Sequence, residues 1–261
     1  MGGIQFIINM ALGSLIYLGL LIFVVGFVHK LYNVYYKTPQ PLKIPQTPQP
    51  TTLGGVILRM AGDVLFFRSL SKGTTLLFFS GWIFHVTFFL ILQRHLRYVL
   101  SPVPACVTFL NQAALFIGFV LLLALIVLLV RRLLDERTKY VTNFSDVFVL
   151  LLIIGIVTTG IMMRYEPFRP DVVGVKGFIS DLLAPATAVG YMTLHPAHAP
   201  ASLMFIFHLG LVSILLMYFP FSKLMHSGGY FFSPTRNMIN NPRDVRYVNP
   251  WDKGSKEEAT K

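Results

Sequence analysis

Five runs of about twenty mostly apolar residues, at 6–28, 74–96, 109–130, 144–163 and 202–221, constrain this 261-residue chain more than any other feature. A lipid interior offers no hydrogen-bond partner to a bare peptide group. A segment crossing its core of roughly 30 Å must therefore be a helix of about 20 residues or a strand of a closed barrel. Runs of this length predict helical crossings and exclude a soluble fold. Composition agrees, with 54% hydrophobic residues, 13% charged and a mean hydropathy of +0.65; a soluble surface needs roughly a quarter charged. The first run lacks a basic leader and a small-residue cleavage site, and its positive charges follow it, so it reads as a retained span rather than a signal peptide.

The net charge of +11 would suggest nucleic acid in a soluble chain, but in a membrane chain loop cations set topology. Lys30, Lys37, Lys43, Arg59, Arg68 and Lys72 lie in the first loop, Arg131, Arg132, Arg137 and Lys139 in the third, and seven more from Lys223 onward. Seventeen of 22 thus share one side against five on the other, and the rich side is expected to be cytoplasmic. The expected fold is an all-α integral membrane protein, a bundle of five transmembrane helices in the cell membrane, with a periplasmic amino terminus and a cytoplasmic carboxy terminus. Nucleic-acid binding is not expected.

Residues 1–226 read as the five-helix domain and 227–261 as a tail. The first cytoplasmic loop opens with Pro39, Pro41, Pro45, Pro48 and Pro50, which should lie extended. Residues 56–67 then suit a helix at the membrane surface, with Arg59, Asp63 and Arg68 on one polar face, so that about 38–70 forms a proline-rich loop and an interfacial helix. The loop 164–200 is rich in Gly and Pro. The tail reads as irregular, with its end at 253–261 disordered. Its aromatics Tyr230, Phe231, Phe232, Tyr247 and Trp251 suggest docking on a cytoplasmic partner.

The chemistry lies in the histidines. A polar ring in hydrocarbon needs a partner or a ligand. His85 and His95 lie in the second span, His208 in the fifth and His226 just past its inner end. Imidazole is a standard axial ligand of haem iron, and two opposed histidines favour electron transfer over oxygen binding. Four on two helices suffice for two haems. The spans run in opposite directions, so the pairs are His95 with His208 for an outer haem and His85 with His226 for an inner one. Eighteen residues from His208 to His226 make five turns of a regular helix. The ten from His85 to His95 rotate nearly 80° from a common face and rise about 12 Å less, a difference to be absorbed by tilt and a break at Pro220. Cys106, the single cysteine, cannot supply a C-x-x-C-H attachment or an iron–sulfur cluster, so any haem is non-covalent and any cluster belongs to another chain.

Other polar residues carry weaker signals. His195 and His198, split by Pro196 before the fifth span, read as headgroup-depth residues rather than a metal pair, and His29 as an interfacial residue. Arg94 and Arg97 flank His95 where haem propionates would need compensating charge, or else they snorkel to the outer headgroups. Asp146 could serve an inner proton path or cap the fourth span together with Ser145.

The motifs RSLxxG at 68–73, WIFH at 82–85 and HLRY at 95–98 resemble the second span of the respiratory nitrate reductase gamma-subunit family. FHLG at 207–210 followed by FPFSKLMH at 219–226 resembles its fifth. The resemblance implies a diheme cytochrome b with ligands at His85, His95, His208 and His226, passing electrons between a membrane quinone and a cytoplasmic iron–sulfur partner. It also implies a quinone site beside the outer haem, where Arg97, Tyr98 and Arg164 are candidates. The tail runs SGGYFFSPTRN at 227–237 and RYVNPW at 246–251 are more similar to cytochrome b subunits serving a heterodisulfide reductase-like protein. Among these the membrane cytochrome of the dissimilatory sulfite reductase-linked complex is nearest. That resemblance implies two b-type haems and menaquinone or another quinone. Its implied neighbours are a cytoplasmic 4Fe–4S heterodisulfide reductase-like subunit, a second integral membrane subunit, a periplasmic multihaem cytochrome c and a periplasmic iron–sulfur protein. The chain would be the quinone-reactive electron-transfer subunit of an oxidoreductase in sulfur metabolism.

Alternatives are the gamma subunit of another quinol-linked reductase such as nitrate reductase, or a haem-free membrane anchor with structural histidines. A proton-coupled transporter is disfavoured, because spans two, three and five contain no Asp or Glu.

Overall fold

The computed structural model describes residues 3–37, 49–183, 202–241 and 243–246, and among these every regular element is helical. Five helices are long and apolar enough to cross a membrane: Met10–Val34, Thr75–Tyr98, Ala105–Leu134, Phe144–Met162 and Leu203–Phe221. They match the five apolar runs, and the protein is a multi-pass membrane protein. The chain forms two compact units, Met1–Ile22 with Phe79–Tyr218 and Phe23–Phe78 with Phe219–Lys261.

In the first unit, α6 (Phe144–Met162) packs against both α4 (Ala105–Leu134) and α8 (Leu203–Tyr218). Ala114, Gly118, Leu121 and Leu125 repeat at steps of four, three and four along α4 and are its buried stripe, while Phe116, Phe119 and Leu123 on the other side are exposed. Large apolar residues facing outward are what lipid requires. The join between α4 and α6 is polar. Asn143 and Asp146 form a reciprocal capping box at the start of α6, and Asp146 Oδ2 sits 3.1 Å from Arg132 Nη1 near the end of α4. Asp146 is therefore a structural cap, with Asn143 rather than Ser145 as its partner. The loop 164–200 carries a helix, α7 (Val172–Leu183), whose Val175, Phe178 and Leu182 bury against Leu12 of α1 (Gly3–His29) and Phe205 of α8. The Tyr17 hydroxyl donates to the Leu182 carbonyl at 2.6 Å.

In the second unit, α1 continues as a π-wound stretch over Lys30–Lys37, so the first helix outlasts its apolar run. Gly26 faces Pro220, where a Cβ would come within 2.7 Å; only a glycine permits that approach. Phe23 meets Phe219 edge-on at 5.1 Å. Pro220 has no N–H and clashes with the preceding turn, and α8 accordingly stops at Tyr218. Short 3-10 turns at Phe219–Phe221 and Lys223–Met225 follow, and α9 (His226–Phe232) restarts the helix. The break expected at Pro220 is present, but the regular five turns from His208 to His226 are not.

The segment expected at the membrane surface is a helix, α2 (Leu53–Leu65), capped by the Thr52 hydroxyl. It ends two residues before Phe67, whose φ is +52°, so Arg68 leaves the helix and folds back to within about 3 Å of a Cβ built on Gly62. Arg59 and Asp63 do share a face, ion-paired at 3.1 Å, but the tail covers it. Tyr230 on α9 donates to Asp63 Oδ2 at 2.9 Å, Arg59 donates to the Arg236 carbonyl, and Gln49 donates to the Thr235 carbonyl at 2.9 Å. The Arg236 guanidinium lies 4.8 Å from the Tyr230 ring centre. Residues expected to be irregular thus form α9 and α10 (Pro234–Asn237), folded back on α2. Tyr230 is used internally, whereas Phe231 and Phe232 remain exposed. Most of the proline run, His195, His198, Tyr247, Trp251 and the last residues lie outside the described residues.

Two outcomes follow. Asp146→Ala, which removes both a cap and an ion pair, should lower stability by about 2 kcal/mol in a thermal melt in detergent, and Asp146→Asn, which can still cap, by less. Burial and the hydrogen bond to Asp63 hold the Tyr230 phenol above its ordinary range. The folded chain therefore grips that proton more tightly than the unfolded one. The resulting stabilisation is complete below the ordinary phenol value of about 10 and is lost as pH rises through the raised one. Ultraviolet titration of the phenolates should show one fewer late-titrating tyrosine in Tyr230→Phe than in the wild type.

Candidate functional site

Polar side chains gather at one end of the first unit. His95 is the last residue of α3 (Thr75–His95), followed by a 3-10 turn at Leu96–Tyr98, and His208 lies in α8. Their rings are 6.4 Å apart between centres and within 5° of parallel. Each ring is tied through Nδ1. His95 Nδ1–H donates to the Ile91 carbonyl one turn back at 2.7 Å, and His208 Nδ1 lies 2.9 Å from the Thr159 hydroxyl on α6. Gly160 of α6 lies beside the ring, and a Cβ there would be in van der Waals contact with His208 Cε1 at 3.4 Å.

The same tether recurs at the other two histidines. His85, half-buried within α3, donates from Nδ1 to the Gly81 carbonyl at 2.7 Å, with Phe84 edge-on at 4.9 Å. His226, exposed at the start of α9 in the second unit, donates from Nδ1 to the Lys223 carbonyl at 2.7 Å. A histidine that donates one ring N–H to a carbonyl or hydroxyl presents the lone pair of the other nitrogen; this is how metal-ligating histidines are oriented. His29 instead pairs with Asn33, Nδ1 to Nδ2 at 3.0 Å, one turn along the same helix.

Around His95 the charge is one-sided. Arg94 and Arg97 both reach Asn111 Oδ1 on α4, at 3.2 and 2.6 Å, and Arg97 and Arg164 lie near enough to Arg94 for mutual repulsion. Arg97 also lies over the Tyr98 ring at 5.4 Å. Among the described residues no carboxylate forms an ion pair with any of these three arginines. The Arg94 Nε is buried without a hydrogen-bond partner. An acid-free cluster of guanidiniums with an orphaned donor suits the carboxylates of a bound molecule.

The chemical capacity of the histidine pair can be tested by distance. Two imidazoles bound to one ion from opposite sides, with metal–nitrogen bonds of about 2 Å and ring nitrogens about 1.1 Å from the ring centre, have centres about 6.3 Å apart. The observed 6.4 Å fits. Among the described residues no group of three or more His, Cys, Asp or Glu could hold a bare ion. A porphyrin brings its own equatorial nitrogens and needs only two axial ligands from the protein, which the pair can supply.

The sequence profile of the nitrate reductase gamma subunit family matches residues 50–247. The chain belongs to that family. Among its relatives is a protein of Archaeoglobus fulgidus named Hdr-like menaquinol oxidoreductase cytochrome b-like subunit, 34% identical over 90% of this chain and 81% of the relative. A protein of the same name from Archaeoglobus profundus is 30% identical over 92% of this chain and 82% of its own length. The family match takes in all four histidines, the three arginines, Asn111 and Thr159.

Asn111, Thr159 and Gly160 were not among the residues singled out from sequence. Their only signal is a polar or missing side chain within an apolar helix, which identifies no partner. Asn111→Leu should leave two guanidiniums without their shared acceptor and lower stability by about 1–3 kcal/mol, while Asn111→Asp should be tolerated. Thermal unfolding in detergent distinguishes the two.

Proposed function

We propose that this protein is the diheme cytochrome b subunit of a menaquinol-linked electron-transfer complex. His95 and His208 are the axial ligands of one haem, and His85 and His226 those of the other. The observation that carries the reading is the parallel imidazole pair at 6.4 Å, each ring tethered through Nδ1. The relatives' name, a menaquinol oxidoreductase cytochrome b-like subunit, supports the quinol side of it. When bound, such haems supply one-electron transfer between a two-electron quinol and an iron–sulfur acceptor or donor.

The chain's own part is to position and to balance charge. Helix carbonyls at Gly81, Ile91 and Lys223 and the Thr159 hydroxyl hold the four rings in the Nδ1–H form. Arg94 and Arg97 compensate haem propionates, with Asn111 keeping the two guanidiniums together. Arg97, Tyr98 and Arg164 are the polar groups placed to hold quinone oxygens and to exchange the protons that accompany quinol oxidation. The amino terminus faces the periplasm and the tail the cytoplasm, following the Lys and Arg asymmetry. There the exposed Phe231 and Phe232 offer a docking surface to a heterodisulfide reductase-like 4Fe–4S subunit of a sulfur-metabolism complex. A second membrane subunit, a multihaem cytochrome c and an iron–sulfur protein on the periplasmic side complete the proposed assembly.

A pyridine haemochrome assay on the purified chain should return about two non-covalent haems, extractable by acidified solvent. His95→Ala and His208→Ala should each remove the same haem, with no further loss in the double variant, and His85→Ala and His226→Ala the other. A colourless wild-type chain would identify a haem-free anchor instead.

A further inference from the structure

Of the four tethered rings, three donate to main-chain carbonyls of their own segment, which no substitution removes. His208 differs, because its partners lie on another helix, the Thr159 hydroxyl and beside it the Ile156 carbonyl, and the nearer hydroxyl belongs to a side chain. Thr159 Oγ1 lies 2.9 Å from His208 Nδ1 and also 2.9 Å from each of the Gly155 and Ile156 carbonyls. A hydroxyl has one hydrogen, and here it goes to one of those two carbonyls, as serine and threonine commonly do within helices. The oxygen lone pair is then left to accept, so His208 Nδ1–H is the donor and its Nε2 carries the lone pair.

We propose that Thr159 is a positioning residue for His208, setting both its tautomer and its strength as an electron donor to bound iron. The inference rests on the haem reading above. A ligand imidazole whose N–H is shared with an acceptor gains basicity and stabilises the oxidised metal more than the reduced one. Gly160 lies beside the same ring, where a Cβ would be in van der Waals contact with His208 Cε1 at 3.4 Å.

The test is a redox titration of the purified wild-type chain and of Thr159→Val and Thr159→Ser, with haem content measured on each. Valine keeps the volume and removes the acceptor; serine keeps the acceptor. In Thr159→Val one haem should become easier to reduce, its ferric-to-ferrous ratio at a fixed potential falling about fivefold to tenfold, where tenfold is 59 mV for one electron. The other haem should not move, and Thr159→Ser should titrate like wild type. Loss of one haem in the valine variant with retention in the serine variant also supports the assignment. Two unshifted haems in Thr159→Val, or equal shifts or losses in both variants, overturn it. Absence of haem from the wild type is a separate result, which removes the parent reading.

Discussion

An imidazole inside a hydrocarbon layer has two polar nitrogens to satisfy, and the way this protein satisfies the first decides what the second can do. Each of the four histidines sets its Nδ1 against an oxygen, three times a helix carbonyl three or four residues back and once the Thr159 hydroxyl. The ring is thereby held by neutral oxygens rather than by an acidic partner, which a membrane would tolerate poorly. Between His95 and His208 the result is a pair of parallel rings with a spacing that suits one metal ion. The arginines beside them are held by neutral oxygen too, Arg94 and Arg97 sharing the Asn111 amide oxygen.

The second unit shows how a membrane setting inverts ordinary amphipathic packing. In α2 the polar pair Arg59 and Asp63 turns toward the tail, while Leu53, Ile57, Leu58 and Leu65 point outward. A soluble helix would do the reverse. The tail supplies what water would otherwise supply, through Tyr230 and the Arg236 carbonyl. A segment that looks in sequence like a loose end is thus partly a structural cover.

What was legible in the sequence follows from the range of the forces involved. The spans were visible because insertion depends on local hydropathy, and the Pro220 break because proline acts on its own helix. The four histidines stood out because a titratable ring is expensive in lipid wherever it occurs. Asn111 and Thr159 did not, since an amide or hydroxyl in a span is cheap and its partner lies in a different helix. The restart of the helix at α9 beyond the Pro220 break was not legible; there Gly228 lies close against Phe27 and Leu31, which are far from it in sequence. The ion pair of Asp146 with Arg132 was hidden for a similar reason, since it reaches across a helix join.

The pair of Arg132 and Asp146 has one more bearing. The carboxylate side chain is only 3% exposed and its partner 28%, so dissolved ions reach it far less than they reach loop charges on the surface. Electrostatic screening at molar ionic strength acts over about 3 Å in water and scarcely enters such a site. Concentrated salt washes that strip charge-bound soluble proteins from a membrane preparation should therefore leave the junction of α4 and α6 locked.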